Sequence, residues 1–375
     1  MPINIRNTTL MYEKLRLNKE LWDLFTRKEE YPQNKLDKYN RYPYANSNYK
    51  YILDAKVSNF LVNNGLKIEY PDDKEFAICL THDVDEAYPP LQHIFLSSLY
   101  CMRYFDVNKI INPLISAINK KKFNPYLNFQ KIIALEDQYN AKSSFYFMST
   151  DRDIRRFRYN IEDLENELGF IIDCGWEVGL HGGFYAYDDL RELKKEKKRL
   201  EKALGKVVIG YRSHYLRFKV PDTWNLLYKA GFKYDTTLGY PDTMGFRNGM
   251  CHPFKPFDLN CNKQIDILEI PLHMMDGTLF QSTRLADEAK YLINPANSFD
   301  ETWHIAKNLI DSVERCNGIV TLLWHSHVFN SPFRENWSRM YKKILDYCNK
   351  KNAWMTSGEE ICNWWTTDGC DIYKF

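Results

Sequence analysis

The chain has 375 residues, 44% apolar and 27% charged, which is the composition of a globular protein and excludes a disordered or fibrous one. Its 51 basic residues nearly balance 49 acidic ones, which argues against broad electrostatic capture of nucleic acid and leaves open only a local basic patch. No window approaches the length of a membrane span, no apolar leader follows Met1, and the nine cysteines include no C-x-x-C pair. These features are expected of reduced thiols in a cytoplasmic protein with no integral membrane segment.

Residues 1–72 are rich in Tyr, Asn, Lys and Asp, with helical signals at 10–27 and 51–64 around a polar, aromatic loop at 31–50. They are expected to form an N-terminal extension that ends near Pro71-Asp72-Asp73. From Glu75, seven apolar, β-rich runs follow, at 76–81, 143–148, 177–181, 207–212, 232–238, 266–272 and 318–325. Amphipathic stretches at 128–140, 162–174, 188–204, 222–230 and 299–316 separate most of them. Gly175, Gly205, Gly231 and Gly318 stand where helices are expected to close, because Gly accepts the left-handed conformation. Asp222, after Pro221, is expected as an N-cap or first-turn acid. This alternation implies parallel strands joined by right-handed crossovers. The expected fold is α/β, a distorted (β/α) barrel of about seven parallel strands over residues 73–375. Residues 86–125 interrupt the alternation and read as a helical insertion on the rim after the first strand.

Polar chemistry gathers where the apolar runs end. His82-Asp83-Val84-Asp85 closes the first run. Two carboxylates so placed must protonate, pair or hold a cation, and a metal is the simplest neutraliser. His181 follows the third run, Arg212 and His214 the fourth, His273 and Asp276 the sixth, and His325 and His327 the seventh. One His at a strand end is usually a hydrogen-bonded core residue. Several in one parallel array converge on a rim and point to a site.

From about Glu75 to Thr366 the chain resembles the polysaccharide deacetylase superfamily, or NodB-homology domain. Thr81-His82-Asp83-Val84-Asp85 stands where the family has T-F-D-D-G, in its D-x-D form. His181-Gly182-Gly183-Phe184-Tyr185 stands for H-S/T-x-x-H, Arg212-Ser213-His214-Tyr215 for R-x-P-Y/F, and Leu322-Leu323-Trp324-His325 for L-x-x-H. Lys142-Ser143-Ser144-Phe145-Tyr146-Phe147 is similar to the family's second strand, and Gly231-Phe232-Lys233-Tyr234-Asp235-Thr236-Thr237 to one of its turns. The resemblance implies hydrolysis of an acetamide on a carbohydrate with one divalent metal ion. Zinc is the first expectation, because imidazole and carboxylate ligands suit it; cobalt, nickel or iron also fit. It further implies Asp85 and His181 as ligands, Asp83 as general base oriented by Arg212, and His325 as general acid. Tyr215, Asp276 and His327 are expected on the substrate side: Tyr215 through an oxyanion-binding N–H, Asp276 beside Arg212, and His327 at the rim.

Two departures from the family pattern bear on the metal. Tyr185 occupies the place of the family's second ligating His, and His214 that of its Pro. His214 is expected to supply the missing imidazole; the alternatives are that it hydrogen-bonds a loop, or that the site holds no metal. A phenol with pKa ~10 is a poor substitute ligand. The leading functional reading is a deacetylase acting on a glycan intermediate, as in surface-polysaccharide biosynthesis. The alternatives are a hydrolase of a small non-sugar amide and a non-catalytic carbohydrate-binding protein. His82 is expected to make a structural hydrogen bond, and Cys251-His252-Pro253 to be a loop. No Walker loop, G-x-G-x-x-G or G-x-S-x-G element occurs, which disfavours nucleotide hydrolysis and serine esterase chemistry.

Overall fold

The computed structural model describes residues 8–50, 52–88, 124, 126–154, 157–281, 299–330 and 335–367. The insertion expected at 86–125 lies, apart from residues 86–88 and 124, outside the described residues. The strands in chain order are β1 (Ala77–Val84), β2 (Ser144–Phe147), β3 (Glu177–Gly182), β4 (Gly210–Ser213), β5 (Tyr234–Asp235), β6 (Phe257–Asp258), β7 (Lys263–Gln264), β8 (Leu268–Glu269), β9 (Met274–Met275), β10 (Ile319–Leu323) and β11 (Trp354–Thr356). Nine of them form one curled sheet in the order β8-β5-β4-β3-β2-β1-β10-β9, with β11 paired to β1. Every ladder in that sheet is parallel. Helices surround it, so the architecture is a distorted (β/α) barrel.

All seven apolar runs contain strands. β9 and β11 were not expected, because two or three residues are too few to show a period. β1 is buried at all eight positions, as an unbroken apolar run requires when both faces are covered. The five amphipathic stretches become the helices Phe129–Asp137, Glu165–Asp173, Leu190–Leu204, Asp222–Ala230 and Phe299–Arg315. The Leu190–Leu204 helix is capped by the Asp189 carboxylate, which accepts from the Arg191 and Glu192 amides, and it closes on Gly205 at φ 72°. Asp222 is the first helical residue after Pro221, hence a first-turn acid and not the cap. Gly318 is a correction: the left-handed residue there is Asn317 at φ 53°. Gly318 is needed for space instead, since a Cβ would lie 2.5 Å from the Cys251 sulfur.

The N-terminal extension packs into the barrel. Met11, Leu15, Leu21, Phe25 and Val57 share one apolar core with residues of β1 to β5. Backbone bonds from the Val57 amide to the Gly249 carbonyl (3.0 Å) and from the Phe246 amide to the Ile52 carbonyl (2.7 Å) stitch the two parts together. A buried charge cluster does the same. Glu30 accepts from Arg27 Nε at 2.7 Å and from Arg247 Nε at 3.0 Å, and all three residues are buried.

Burial opposes ionisation of Glu30, but Arg247 and Arg27 outweigh it and hold the carboxyl below its ordinary pKa. A lowered carboxylate contributes stability above its unfolded-state pKa and loses it as pH falls through the folded-state one. Glu30→Gln leaves two buried guanidinium groups underpaired and is expected to cost about 3 kcal/mol of unfolding free energy at neutral pH. Urea titrations of native protein and variant measure this. The gap should narrow at about pH 3, below the ordinary glutamate range; a gap that stays constant would contradict the ion-pair account.

Candidate active site

The parallel sheet delivers its polar groups to one rim. Asp83, near the end of β1, is in register with Tyr146 of β2. His181 of β3 is in register with Arg212 of β4. Asp276 directly follows β9, and His325 lies two residues beyond β10, which pairs with β9. The chain turns tightly after His181. A Cβ on Gly182 would collide with the Tyr211 ring, and one on Gly183 with Glu196 and Thr150. The Gly183 amide instead donates to Glu196 Oε2 at 2.8 Å.

Asp85 is the centre of the arrangement. His181 Nε2 lies 3.0 Å from its Oδ1, and His214 Nε2 and His325 Nε2 each lie 3.7 Å from its Oδ2. Two of the rings are hydrogen-bonded through the other nitrogen, His181 Nδ1 to the Arg212 carbonyl at 3.1 Å and His325 Nδ1 to Asp276 Oδ1 at 2.8 Å, while His214 Nδ1 faces Asp153 Oδ1 at 3.5 Å. An imidazole held through Nδ1 presents Nε2 as its working atom. Among the described residues, Asp85, His181 and His214 form the one group whose ligand atoms all lie within 4.8 Å of one another. Asp85 Oδ1 and His214 Nδ1 are buried without a hydrogen-bond partner. A carboxylate with an unmet oxygen, faced by the Nε2 atoms of two imidazoles, fits a divalent cation.

Asp83 sits behind this group. Its Oδ2 is 3.7 Å from His181 Nε2 and its Oδ1 is 3.5 Å from Arg212 Nη1. Arg212 is fully buried, donates twice to Thr236 Oγ1 at 2.9 and 2.7 Å, and lies over the Tyr146 ring. The side chains of Asp83, His181, Arg212 and His214 are 4% exposed or less, whereas those of Asp85 and His325 are 19% and 20% exposed. Solvent therefore reaches the site past Asp85 and His325.

The electrostatics follow from this packing. Burial disfavours the Asp85 anion, yet His214, His181 and His325 hold it well below the carboxylate range. Burial also opposes the imidazolium of His214, but Asp85 and Asp153 raise it to about 9. Likewise, burial opposes protonation of His325, and Asp276 raises it to about 9. Asp153 resists its own burial through His214 and Arg158, and Arg158 also donates to Glu86 at 2.7 Å.

Several expectations change. Asp276 does not steady Arg212; it holds His325 through both its ring and its backbone amide, the latter at 2.8 Å. Thr236, within the family-like turn, takes the place beside Arg212. Tyr185 turns to the surface at 40% exposure, with Arg152 over its ring. The His327 ring packs 5.5 Å from those of His325 and Tyr126. Tyr215 adjoins His214, with ring centroids 4.6 Å apart. His82 is buried beneath the rim between the Trp324 carbonyl and Glu136, each at 2.8 Å, and His252 is bound to Ser58 and Asn317. Asp153 was missed: it lies six residues past β2, in a loop with no periodic signal.

No protein-family model and no curated protein matches the sequence. Among solved structures, the chain is similar to a protein from Mycobacterium smegmatis assigned as a polysaccharide deacetylase, with 16% identity, a TM-score of 0.53, and coverage of 80% of this chain and 94% of that one. It is also similar to Puue allantoinase, with 14% identity, a TM-score of 0.51, and coverage of 79% and 92%. At such identities the shared property is the fold, and the chain has the polysaccharide deacetylase fold.

The Asp276–His325 pair makes a direct prediction for the metal-free protein. His325 is expected to titrate at about 9, and Asp276→Asn to bring it down toward the ordinary imidazole value of 6.5. Imidazole nitrogen NMR over a pH series reads both. A midpoint unmoved in the variant would remove Asp276 as the cause.

Proposed function

We propose that this chain is a metal-dependent hydrolase that removes an N-acetyl group from a carbohydrate, with Asp85, His181 and His214 as the ligands. The observation that carries the reading is the convergence of imidazole Nε2 atoms on Asp85, beside the second carboxylate, Asp83. A divalent ion held there, zinc first among the candidates, supplies the Lewis acidity that an amide carbonyl and a water molecule need. Asp83 takes the proton of the attacking water, and Arg212 fixes the direction of its carboxylate. The water oxygen bonds to the acetyl carbon, and the C–N bond breaks as His325 Nε2 gives its proton to the leaving amine. Asp276 stabilises the imidazolium through Nδ1, so its role is to position the acid and not to bind substrate. The Tyr215 amide is assigned to the developing oxyanion, and His327 to the substrate rim.

Half-buried Tyr215, beside His214, and half-buried Tyr39, packed on Tyr215, suit the faces of sugar rings, which supports a carbohydrate substrate. The assignment of the Mycobacterium smegmatis neighbour points the same way. A small non-sugar amide is the second reading, because an allantoinase shares the fold. A cytoplasmic intermediate of surface-polysaccharide assembly is the setting we favour. The described cysteines are all free thiols, and no described helix is long and apolar enough to cross a membrane.

Acetate release from N-acetylhexosamine oligomers tests the reading: activity is expected to vanish on chelation and return with zinc. Asp83→Asn and His325→Ala should each lower kcat by about 10²–10⁴-fold while zinc stays bound. His214→Ala should lose zinc itself, and a variant that retains both zinc and activity would refute the ligand assignment. Zinc affinity is also expected to rise with pH up to about 9, because His214 must shed its proton to bind. Calorimetry in buffers of different ionisation enthalpy would count the released protons.

A further inference from the structure

Residues 37–41 of the N-terminal extension close on themselves. Asp37 Oδ1 accepts from the Tyr39 and Arg41 amides at 2.8 and 3.0 Å. Asp37 Oδ2 accepts from Arg41 Nε at 2.8 Å, and the Asp37 amide donates to the Arg41 carbonyl at 2.8 Å. One carboxylate thus fixes both the turn and the direction of the guanidinium. Arg41 Nη2 lies on the same oxygen at 2.7 Å, so two guanidinium nitrogens are held and the third, Nη1, is left pre-aimed.

That nitrogen points at the loop that carries His214. Arg41 Nη1 donates to the Tyr215 carbonyl at 3.2 Å. The Tyr39 carbonyl accepts from Arg217 Nε at 2.8 Å, and the Tyr39 and Tyr215 ring centroids are 5.1 Å apart. The gripped segment has an uncommon backbone: Tyr215 and Leu216, neither of them glycine, are both left-handed, at φ 62° and 54°. Consecutive non-glycine residues hold this conformation only when surrounding contacts impose it. Here the contacts fall on residues 215 and 217, on either side of Leu216. Arg217 also donates to the Phe184 carbonyl and to the Tyr187 hydroxyl, which joins the loop to the segment after His181.

We propose that Arg41, braced by Asp37, is a positioning residue for His214, so that the N-terminal extension is a working part of the metal centre. This rests on the metal-centre reading above. Its test uses the full chain and two readouts: hydrogen exchange of the 213–217 amides in metal-free protein, and the zinc dissociation constant by competition with a chromophoric chelator. Arg41→Ala is expected to speed exchange and to weaken zinc binding, each about 10-fold, the lower bound for losing an outer-sphere partner. Arg41→Lys, which keeps the charge but not the fork, should recover part of both. Asp37→Asn should show a smaller loss of the same kind, and it decides the matter if Arg41→Ala does not fold. Native exchange and native zinc affinity in Arg41→Ala would overturn the inference alone. A native chain that binds no zinc would instead overturn the metal-centre reading.

Discussion

Everything at the rim depends on the Asp85 carboxylate and the three imidazoles that face it. The partners come from β3, from the loop after β4 and from the loop after β10, and they meet because parallel strands put their C-terminal ends on the same edge. His181 and His325 are hydrogen-bonded through the far nitrogen, and His214 faces Asp153 there, so the Nε2 atoms stay turned toward Asp85. So much imidazole around one anion also sets the charge state. Asp85 and Asp153 favour a proton on His214, and Asp276 and Asp85 favour one on His325, while these imidazoles in turn hold Asp85 ionised.

Holding such a cluster requires rigidity around it. Buried Arg212 is clamped by Thr236 and the Tyr146 ring, and Gly182 and Gly183 let the backbone pass close to Tyr211 and Glu196. The left-handed pair at Tyr215 and Leu216 costs of order 1–3 kcal/mol per residue, which the packing around it must offset. Part of that packing comes from the N-terminal extension, itself locked to the barrel by the Arg27–Glu30–Arg247 cluster. Chain segments far from the motifs in sequence thus bear on the geometry of the site.

The residues differ in how visible their roles were beforehand. Asp83, Asp85, His181, Arg212 and His325 each end an apolar run, and the barrel brings all five together. Asp276 was visible as a strand-end residue but was given the wrong neighbour. Its partner depends on sheet order: β9 lies beside β10, which His325 follows, while β4, which carries Arg212, lies on the other side of β1. Asp153 sits in an irregular loop with no period to mark it. The contacts of residues 37–41 span more than 170 positions of sequence, so no local pattern could indicate them.

By itself the sequence determined the α/β class, seven of the nine sheet strands, the helices between them and the groups at the strand ends. These depend on local periodicity, on glycine and proline chemistry, and on the cost of burying unpaired carboxylates. Tertiary structure alone decided that His214 faces Asp85 while Tyr185 faces solvent, that Asp276 serves His325, and that the extension reaches the Tyr215 carbonyl. Such pairings are set by sheet order, by register and by the packing of distant segments, none of which leaves a repeating mark along the chain.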